Sequence, residues 1–257
     1  MWDAFITLMI TSLLFIYNLI GQNFGWAIII FTVVVRLVTY PLTAKQMKSS
    51  KAMQDFQSSK EYLDMQKKYK NDKEGLAQKQ MELYKEKGIS PFGSCLPLLV
   101  QFPVIIGLYQ AIIRTLAVTP IQLVNLSKHI NDGANLIPIN SQFWWMELSE
   151  PERLPILGVA VPVLAILVLI TSYIQTKMVT PPTSPGAEPA QGAQMTQAMT
   201  LYMPFFMGYL AMTFASGLAL YFIATNLATI AQYVITGQAN FKNILPKLPN
   251  FSQLGKQ

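Results

Sequence analysis

Arg36 is the side chain whose position most constrains the chemistry of this sequence. It lies inside the apolar segment 24–42, FGWAIIIFTVVVRLVTYPL, which is long enough to span a bilayer. An uncompensated arginine at the centre of such a helix costs roughly 2.5 to 3.5 kcal/mol. Two hypotheses remain open: Arg36 snorkels to the interface, or it lines a polar cavity that opens toward the cytoplasm. In the second, its chemistry is the attraction of acidic groups.

Further polar side chains interrupt other apolar segments. Gln101 and Gln110 lie in one of them, and Tyr221 and Asn226 lie in the last, which is unusually polar for a helix that faces lipid. A single glutamine in a spanning helix more often forms an interhelical hydrogen bond than a substrate contact. Both interpretations stay open, and we list all four residues with Arg36 as candidates for a substrate-binding groove.

The motifs of several enzyme classes do not occur in the chain. It contains no GxxxxGK[ST] phosphate-binding loop, no HExxH and no GxSxG. His129, the one histidine, has no metal-ligand partner at a suitable spacing, and Cys95 is the one cysteine. The apolar segments also contain no Asp or Glu, which argues against a proton relay or carboxylate catalysis. We therefore expect no catalytic residues, no metal site and no cofactor, and predict that the protein is not an enzyme.

The composition indicates an integral membrane protein. Hydrophobic residues make up 52% of the 257 residues and charged residues only 12%, whereas soluble domains carry about 25% charged residues. A net charge of +6 would suit a nucleic-acid-binding protein, but basic loops are the usual topology signal of a membrane protein. We expect no nucleic-acid recognition.

The apolar segments predict an all-α membrane protein with five transmembrane helices. The predicted elements are an outer-interface amphipathic helix at 1–22, a first span at 23–42, a cytoplasmic helical hairpin at 43–91, a second span at 92–114, an outer loop at 115–153, a third span at 154–177, a cytoplasmic linker at 178–197, a fourth span at 198–214, a fifth span at 218–236 and a cytoplasmic tail at 237–257. Residues 1–20 are assigned to the interface because a narrow polar stripe runs along one helical face. A sixth span and a signal peptide are the alternatives, although a signal peptide favours a basic start.

The distribution of basic residues predicts the orientation. Most of the 19 Lys and Arg residues lie in the hairpin 43–91, and the tail adds three more, whereas the outer loop with its boundaries carries Arg114, Lys128 and Arg153. The positive-inside rule therefore puts the N-terminus outside and the C-terminus in the cytoplasm. The absence of an Arg- and Ser-rich transit segment favours a bacterial plasma membrane.

Three stretches together carry a family resemblance: FGWAIIIFTVVVRLVTYPLT, SPFGSCLPLLVQFPVIIGLYQAI and MPFFMGYLAMTFASGLALYFIATNLATIAQY. They closely resemble the YidC/Oxa/Alb family of membrane protein insertases, in its short bacterial form without a large periplasmic domain. The resemblance implies five helices around a hydrophilic groove that is open to the cytoplasm and to lipid but closed outside. The family's groove arginine corresponds to Arg36, its threonine one turn earlier to Thr32, and its glutamine to Gln101. Its Tyr-Tyr pair appears as Tyr221-Phe222.

The resemblance implies an insertase and chaperone that works without nucleotide hydrolysis. Its expected partners are nascent membrane proteins with acidic outer tails and the membrane lipid, with the Sec translocon and the ribosome as further family partners. A small-solute transporter or channel built around the same arginine is the alternative, and it predicts an internal repeat that the sequence does not show convincingly. A second alternative is an assembly factor for larger membrane complexes.

Overall fold

The computed structural model describes residues 2–57, 59–69, 72–88, 96–116, 139–156, 159–179 and 191–239. These residues are mostly helical, as the sequence predicts, with two short antiparallel β-hairpins. The elements are α1 Trp2–Leu19, α2 Phe24–Val38, α3 Tyr40–Gln57, α4 Lys60–Lys68, α5 Lys73–Glu86, α6 Leu96–Leu116, β1 Gln142–Phe143, β2 Met146–Glu147, β3 Leu154–Ile156, β4 Val159–Val161, α7 Val163–Val179, α8 Gln191–Thr213 and α9 Ser216–Ile235. Most of the predicted outer loop, linker and tail lies outside the described residues.

The apolar helices have the length and composition of a membrane protein. Within the described ranges, α1 and α9 are each long and apolar enough to cross a bilayer. The bent pair formed by α2 and α3 would be a third such element if its halves form one span, and α7 is a shorter apolar helix. These helices agree with the predicted membrane location.

A sharp bend separates α2 from α3. Helix α2 begins at Asn23, whose side chain accepts a hydrogen bond from the Trp26 backbone at 3.2 Å, and it ends at Thr39. Pro41 cannot continue the helix because it has no N–H and its ring clashes with the carbonyl four residues earlier. The chain therefore turns by 67° into α3. Arg36 is left in the last turn of α2, where the partial negative charge of the helix end favours a cation.

The main core lies where α9 meets α2 and α6. Ile28, Leu108 and Ile112 are fully buried there. Leu148 from the outer segment is buried among them, and Gly217 allows the close approach of α9, since an added Cβ would lie 3.3 Å from Ile112 and from Ile28. Helix α1 packs on the same group, against α2 and α6.

Residues 147–152, which we call the outer strap, close the N-terminal ends of two helices. The backbone N–H groups of Ser216 and Gly217 donate to the carbonyl oxygens of Glu150 and Leu148 at 2.8 and 3.1 Å. The Glu152 carboxylate accepts hydrogen bonds from the Leu164 N–H in the first turn of α7, at 3.1 Å, and from the Trp145 indole, at 3.2 Å. The strap thus supplies partners that the first turns of both helices lack.

The structure differs from the predicted third span at its start. The segment 154–177 was expected to be helical throughout, but α7 begins at Val163, and residues 154–161 carry the hairpin of β3 and β4. Pro155 and Pro162 are the physical reason, because each lacks the N–H that a continuing helix needs.

The charged segment between α2 and α6 has a small core of its own. Met53, Phe56, Tyr62, Met65, Leu76, Leu83 and Tyr84 are buried together. Gln80 is also buried, and its amide donates to the hydroxyls of Tyr62 and Tyr84 at 3.1 and 2.9 Å. Burial raises the pKa of Tyr62 well above its ordinary value.

Candidate functional site: the cavity at Arg36

A cavity of about 300 Å³ lies between helices α2, α3, α6, α7, α8 and α9, and Arg36 forms part of its wall. We call it the Arg36 cavity. Its lining residues are Arg36, Thr43, Gln46, Met47, Ser50, Gln101, Ile105, Ser172, Gln175, Thr176, Met203, Pro204, Met207, Phe222, Thr225, Asn226, Thr229, Gln232 and Tyr233. Uncharged polar side chains predominate in this set. The lining is nevertheless mixed, because apolar side chains contribute most of the surface that faces the cavity. The volume has room for several water molecules.

Arg36 is the one charged residue among those lining residues. The structure gives it no ion pair with any carboxylate in the described ranges. A guanidinium offers five N–H donors and no acceptor. The cavity is therefore suited to attract an anionic group. It is not suited to hold a metal, and the described part of the chain contains no cluster of three or more His, Cys, Asp or Glu residues.

Gln101 and Tyr221 connect α6 to α9 at the edge of the cavity. The Gln101 side-chain amide donates a hydrogen bond to the Tyr221 hydroxyl. Gln101 lines the cavity, whereas Tyr221 is only 3% exposed and lies beside the ring of Phe222. Tyr221 is therefore placed behind the wall, where its hydroxyl accepts the hydrogen bond that holds Gln101.

Asn226 lines the cavity, but both N–H groups of its side chain are already used. They donate to the hydroxyls of Thr171 and Ser172 on α7, at 3.0 and 2.8 Å. The adjacent Thr225 hydroxyl is buried and has no hydrogen-bond partner among the described residues.

Thr32 and Gln110 do not line the cavity. The Thr32 hydroxyl donates to the backbone carbonyl of Ile28 at 2.7 Å, and the residue is 1% exposed. Gln110 accepts a 3.5 Å hydrogen bond from Arg114, one turn further along α6. The structure thus brings Arg36, Gln101 and Asn226 together on the cavity wall, with Tyr221 behind them.

Sequence reasoning missed the contributions of α3 and α7. Ser172, Gln175 and Thr176 lie on one face of α7 at helical spacing, a signal that the sequence carries but that a mostly apolar segment conceals. Gln46 and Ser50 on α3 belong to the segment that was assigned to a hairpin standing in water. Only the bend after α2 brings this part of α3 beside the cavity.

Three methionines, Met47, Met203 and Met207, contribute much of the apolar lining. Methionine is unbranched and polarizable, so it adapts to partners of different shape. The cavity combines one fixed positive charge with an adaptable surface.

Fold and cavity together define a helical membrane protein with an internal cavity that contains one arginine. A family model described as 60Kd inner membrane protein matches residues 15–243. The chain therefore belongs to this family, which is the YidC/Oxa/Alb family that the sequence motifs predicted.

Individual relatives agree with this assignment. A membrane protein insertase YidC from Oceanobacillus iheyensis is 34% identical over 232 residues, which cover 88% of this chain and 78% of the relative. The membrane protein insertase MisCA of Bacillus subtilis is 30% identical over 250 residues, which cover 96% of this chain and 83% of MisCA. The YidC of Leptospira interrogans is also 34% identical, but this chain spans only 32% of that longer relative.

The fold also resembles a solved structure. A crystal structure of an active YidC insertase with its first transmembrane domain resolved has a TM-score of 0.56. It covers 91% of this chain and 46% of the solved chain at 24% identity. At this identity the match supports the fold alone.

Proposed function

We propose that this chain is a membrane protein insertase and chaperone that uses the Arg36 cavity as a hydrophilic groove. The observation that carries the proposal is an arginine without a carboxylate partner among the described residues, on the wall of a cavity whose lining combines many polar side chains with an apolar surface. Family membership supports it over a transporter, because the relatives reported above are named insertases.

The proposed mechanism is passive and needs no cofactor or catalytic step. Moving the apolar helix of a client from water into lipid is downhill, whereas its polar tail must cross hydrocarbon. A wet groove shortens that path, and Arg36 attracts an acidic tail into it. The membrane potential then draws negative charge outward with about 2.3 kcal/mol per charge per 100 mV. The client's apolar segment finally leaves the groove sideways into lipid.

The apolar layer beyond the cavity supports a half-channel rather than a continuous pore. Ile28 lies two turns before Arg36 on α2, and Ile112 lies two turns beyond Ile105 on α6. Both are fully buried, and Leu148 of the outer strap is buried against them. A transporter for small solutes would need a polar path through this layer.

We further propose that α2, α6, α7, α8 and α9 are the five spans and that α1 lies at the outer interface of a bacterial plasma membrane. Two contacts of α1 support this placement. Asp3 near its start lies 3.7 Å from Arg114 at the end of α6, and Tyr17 near its end accepts a hydrogen bond from the Asn140 backbone at 3.0 Å. Both partners belong to the predicted outer side. The N-terminus is then outside and the C-terminus in the cytoplasm.

The proposed clients are nascent membrane proteins with acidic outer tails. The charged segment of α3 to α5 would stand on the cytoplasmic side as a helical hairpin and meet the incoming chain. Contacts with lipid, the Sec translocon and the ribosome belong to the same proposal.

Site-specific photocrosslinking to a stalled single-span client tests the proposal. Probes at Gln46, Gln175 and Gln232 lie on the cavity wall, whereas a probe at Leu227, which is 52% exposed on α9, is the matched control outside it. We expect crosslinks from the three cavity positions to exceed those from the control. Equal labelling at all four positions would contradict a groove.

A further inference from the structure

We propose that Asn226 is a positioning residue, which ties α9 to α7 beside Arg36 and thereby sets the shape of the cavity. The proposal rests on the insertase function proposed above. It assigns Asn226 a role different from the client contact that the sequence predicted.

Both side-chain N–H groups of Asn226 are hydrogen-bonded to α7. Its side-chain nitrogen has two hydrogens, and each has a hydroxyl acceptor on α7: Thr171 at 3.0 Å and Ser172 at 2.8 Å. Asn226 is 7% exposed and Ser172 is 6% exposed, so little water competes for these bonds. No N–H of the amide is left over for a client.

The hydroxyls on α7 are placed to accept these hydrogen bonds. The Thr171 hydroxyl donates its own proton to the backbone carbonyl of Leu167 at 2.8 Å. Its lone pairs therefore remain available to Asn226, and the contact is anchored to the backbone of α7. Asparagine suits this place because one planar group supplies two donors, whereas a leucine of similar volume would supply none.

The contact between Asn226 and α7 spans two walls of the Arg36 cavity. Ser172 and Asn226 both line the Arg36 cavity, so the hydrogen bonds cross between two of its walls. If the bonds were lost, α7 and α9 could separate at the level of the cavity. The distance between these walls and the polar lining around Arg36 would then change together.

A double-mutant cycle distinguishes positioning from client contact. The variants are Asn226→Leu, the pair Thr171→Val with Ser172→Ala, and all three changes combined. Client insertion into proteoliposomes is measured at equal amounts of reconstituted protein. We expect Asn226→Leu alone, and the Thr171→Val and Ser172→Ala pair alone, each to lower the insertion rate by roughly 3- to 15-fold. This range corresponds to interhelical hydrogen bonds in membranes.

The combined variant gives the decisive comparison. If Asn226 acts through α7, the insertion rate of the combined variant stays within about twofold of the rate of Asn226→Leu or of the α7 pair. The reason is that the same interaction is removed in each case. If Asn226 instead contacts the client, Asn226→Leu lowers the insertion rate by the same factor whether or not the α7 hydroxyls are present. The fold-losses of the α9 and α7 substitutions then multiply in the combined variant. That result would overturn the proposal.

A reversible covalent contact provides a second measurement. In a Cys95→Ser background, Ser172→Cys and Asn226→Cys place two thiols where the hydrogen bond now lies. Disulfide formation is read from the protein itself, so it tests the contact even if the wild type inserts no client. A wild type without insertion activity would refute the insertase function, not the contact.

We expect the reduced cysteine pair to insert clients as slowly as Asn226→Leu and the oxidised pair to recover most of the wild-type rate. A client contact would not be restored by a bond between the two helices. Loss of activity on oxidation that reduction reverses would overturn the proposal.

Discussion

Gly217 on α9 packs directly against Leu148 of the outer strap. The Gly217 N–H donates to the Leu148 carbonyl oxygen at 3.1 Å, and a Cβ added at Gly217 would lie 3.2 Å from that same oxygen. A methyl group at this place meets backbone, which cannot rotate away. The apolar layer beyond the Arg36 cavity therefore depends on a residue without a side chain.

The first prediction concerns this glycine. Gly217→Ala should destabilise the protein by about 1 to 3 kcal/mol, the usual cost of overpacking a closed core. The measurement is thermal unfolding in detergent. Gly208→Ala is the matched control, because the Ala165 carbonyl oxygen, the backbone atom nearest to a Cβ added there, lies at an ordinary contact distance of 3.6 Å. Equal melting temperatures for the Gly217 variant and wild type would contradict the prediction.

The second prediction concerns the charge in the cavity. Arg36→Ala should lower insertion of clients with acidic outer tails by at least about tenfold, the equivalent of about 1.4 kcal/mol. Arg36→Lys should largely preserve it, because attraction requires the charge rather than the fork of a guanidinium. Insertion is measured by protease protection of the client tail and by complementation of an insertase-depleted strain.

A client with an uncharged tail is the control for the arginine variants. Its insertion should change little in Arg36→Ala, since no acidic group is being attracted. Normal complementation by the alanine variant, or equal loss for charged and uncharged tails, would show that the charge is not the cause.

The third prediction concerns the Glu152 carboxylate, which is buried at the start of α7. Glu152→Ala removes its bonds to the Leu164 N–H and the Trp145 indole and should cost roughly 2 kcal/mol, the range of a lost helix cap. Glu152→Gln should cost less, because the amide oxygen still accepts one of the two bonds. Thermal unfolding and the fluorescence of Trp145 are the measurements.

Glu150→Ala separates the effect of the carboxylate from that of the strap itself. The side chain of Glu150 is exposed, and its contact with Ser216 uses the backbone carbonyl, which alanine retains. We expect wild-type stability for this variant. A loss as large as that of Glu152→Ala would assign the effect to the strap backbone.

The fourth prediction concerns pH and the core of α3 to α5. Burial raises the pKa of Tyr62 in the folded state, so the folded protein favours the neutral phenol. This contribution is complete below the ordinary tyrosine pKa of about 10 and is lost as pH rises through and above that value. The protection factors of amides in α4 and α5, which correct for base-catalysed intrinsic exchange, should therefore fall above about pH 10.

Tyr62→Phe tests the origin of that pH dependence. The variant loses the 3.1 Å hydrogen bond from Gln80 and is less stable at neutral pH by about 1 kcal/mol. Its alkaline loss of protection should be smaller than that of the wild type, because the titrating group is gone. An unchanged alkaline profile would assign the effect to other groups.

The sequence predicted the helical class and the family, because long apolar segments and the motifs within them can be read directly. The role of Arg36 stays a prediction. The sequence located Gln101 and Asn226 on the cavity as well. It could not reveal that the donors of Asn226 are used on α7, since Thr171 and Ser172 are 54 or more residues away in the chain. Their contact depends on how two helices pack, and spacing within one helix does not encode that.

The sequence-based prediction of the third span was wrong at its start, where two prolines interrupt the helix. Pro155 and Pro162 lie in the predicted third span, yet α7 begins only at Val163, and strands β3 and β4 precede it. Gln46 and Ser50 were assigned to water because their segment is charged overall. Only the position of α3 after the bend at Pro41 shows that one face of this helix meets the cavity.

The bend at Pro41 has a mechanical consequence. The same α3 that carries Gln46 and Ser50 on the cavity wall continues to Met53 and Phe56, which are buried in the core shared with α4 and α5. One continuous helix therefore joins the core of α3 to α5 to the wall of the cavity. A force applied to that core would tilt the helix, and the cavity beside Arg36 would widen or narrow without any direct contact with it.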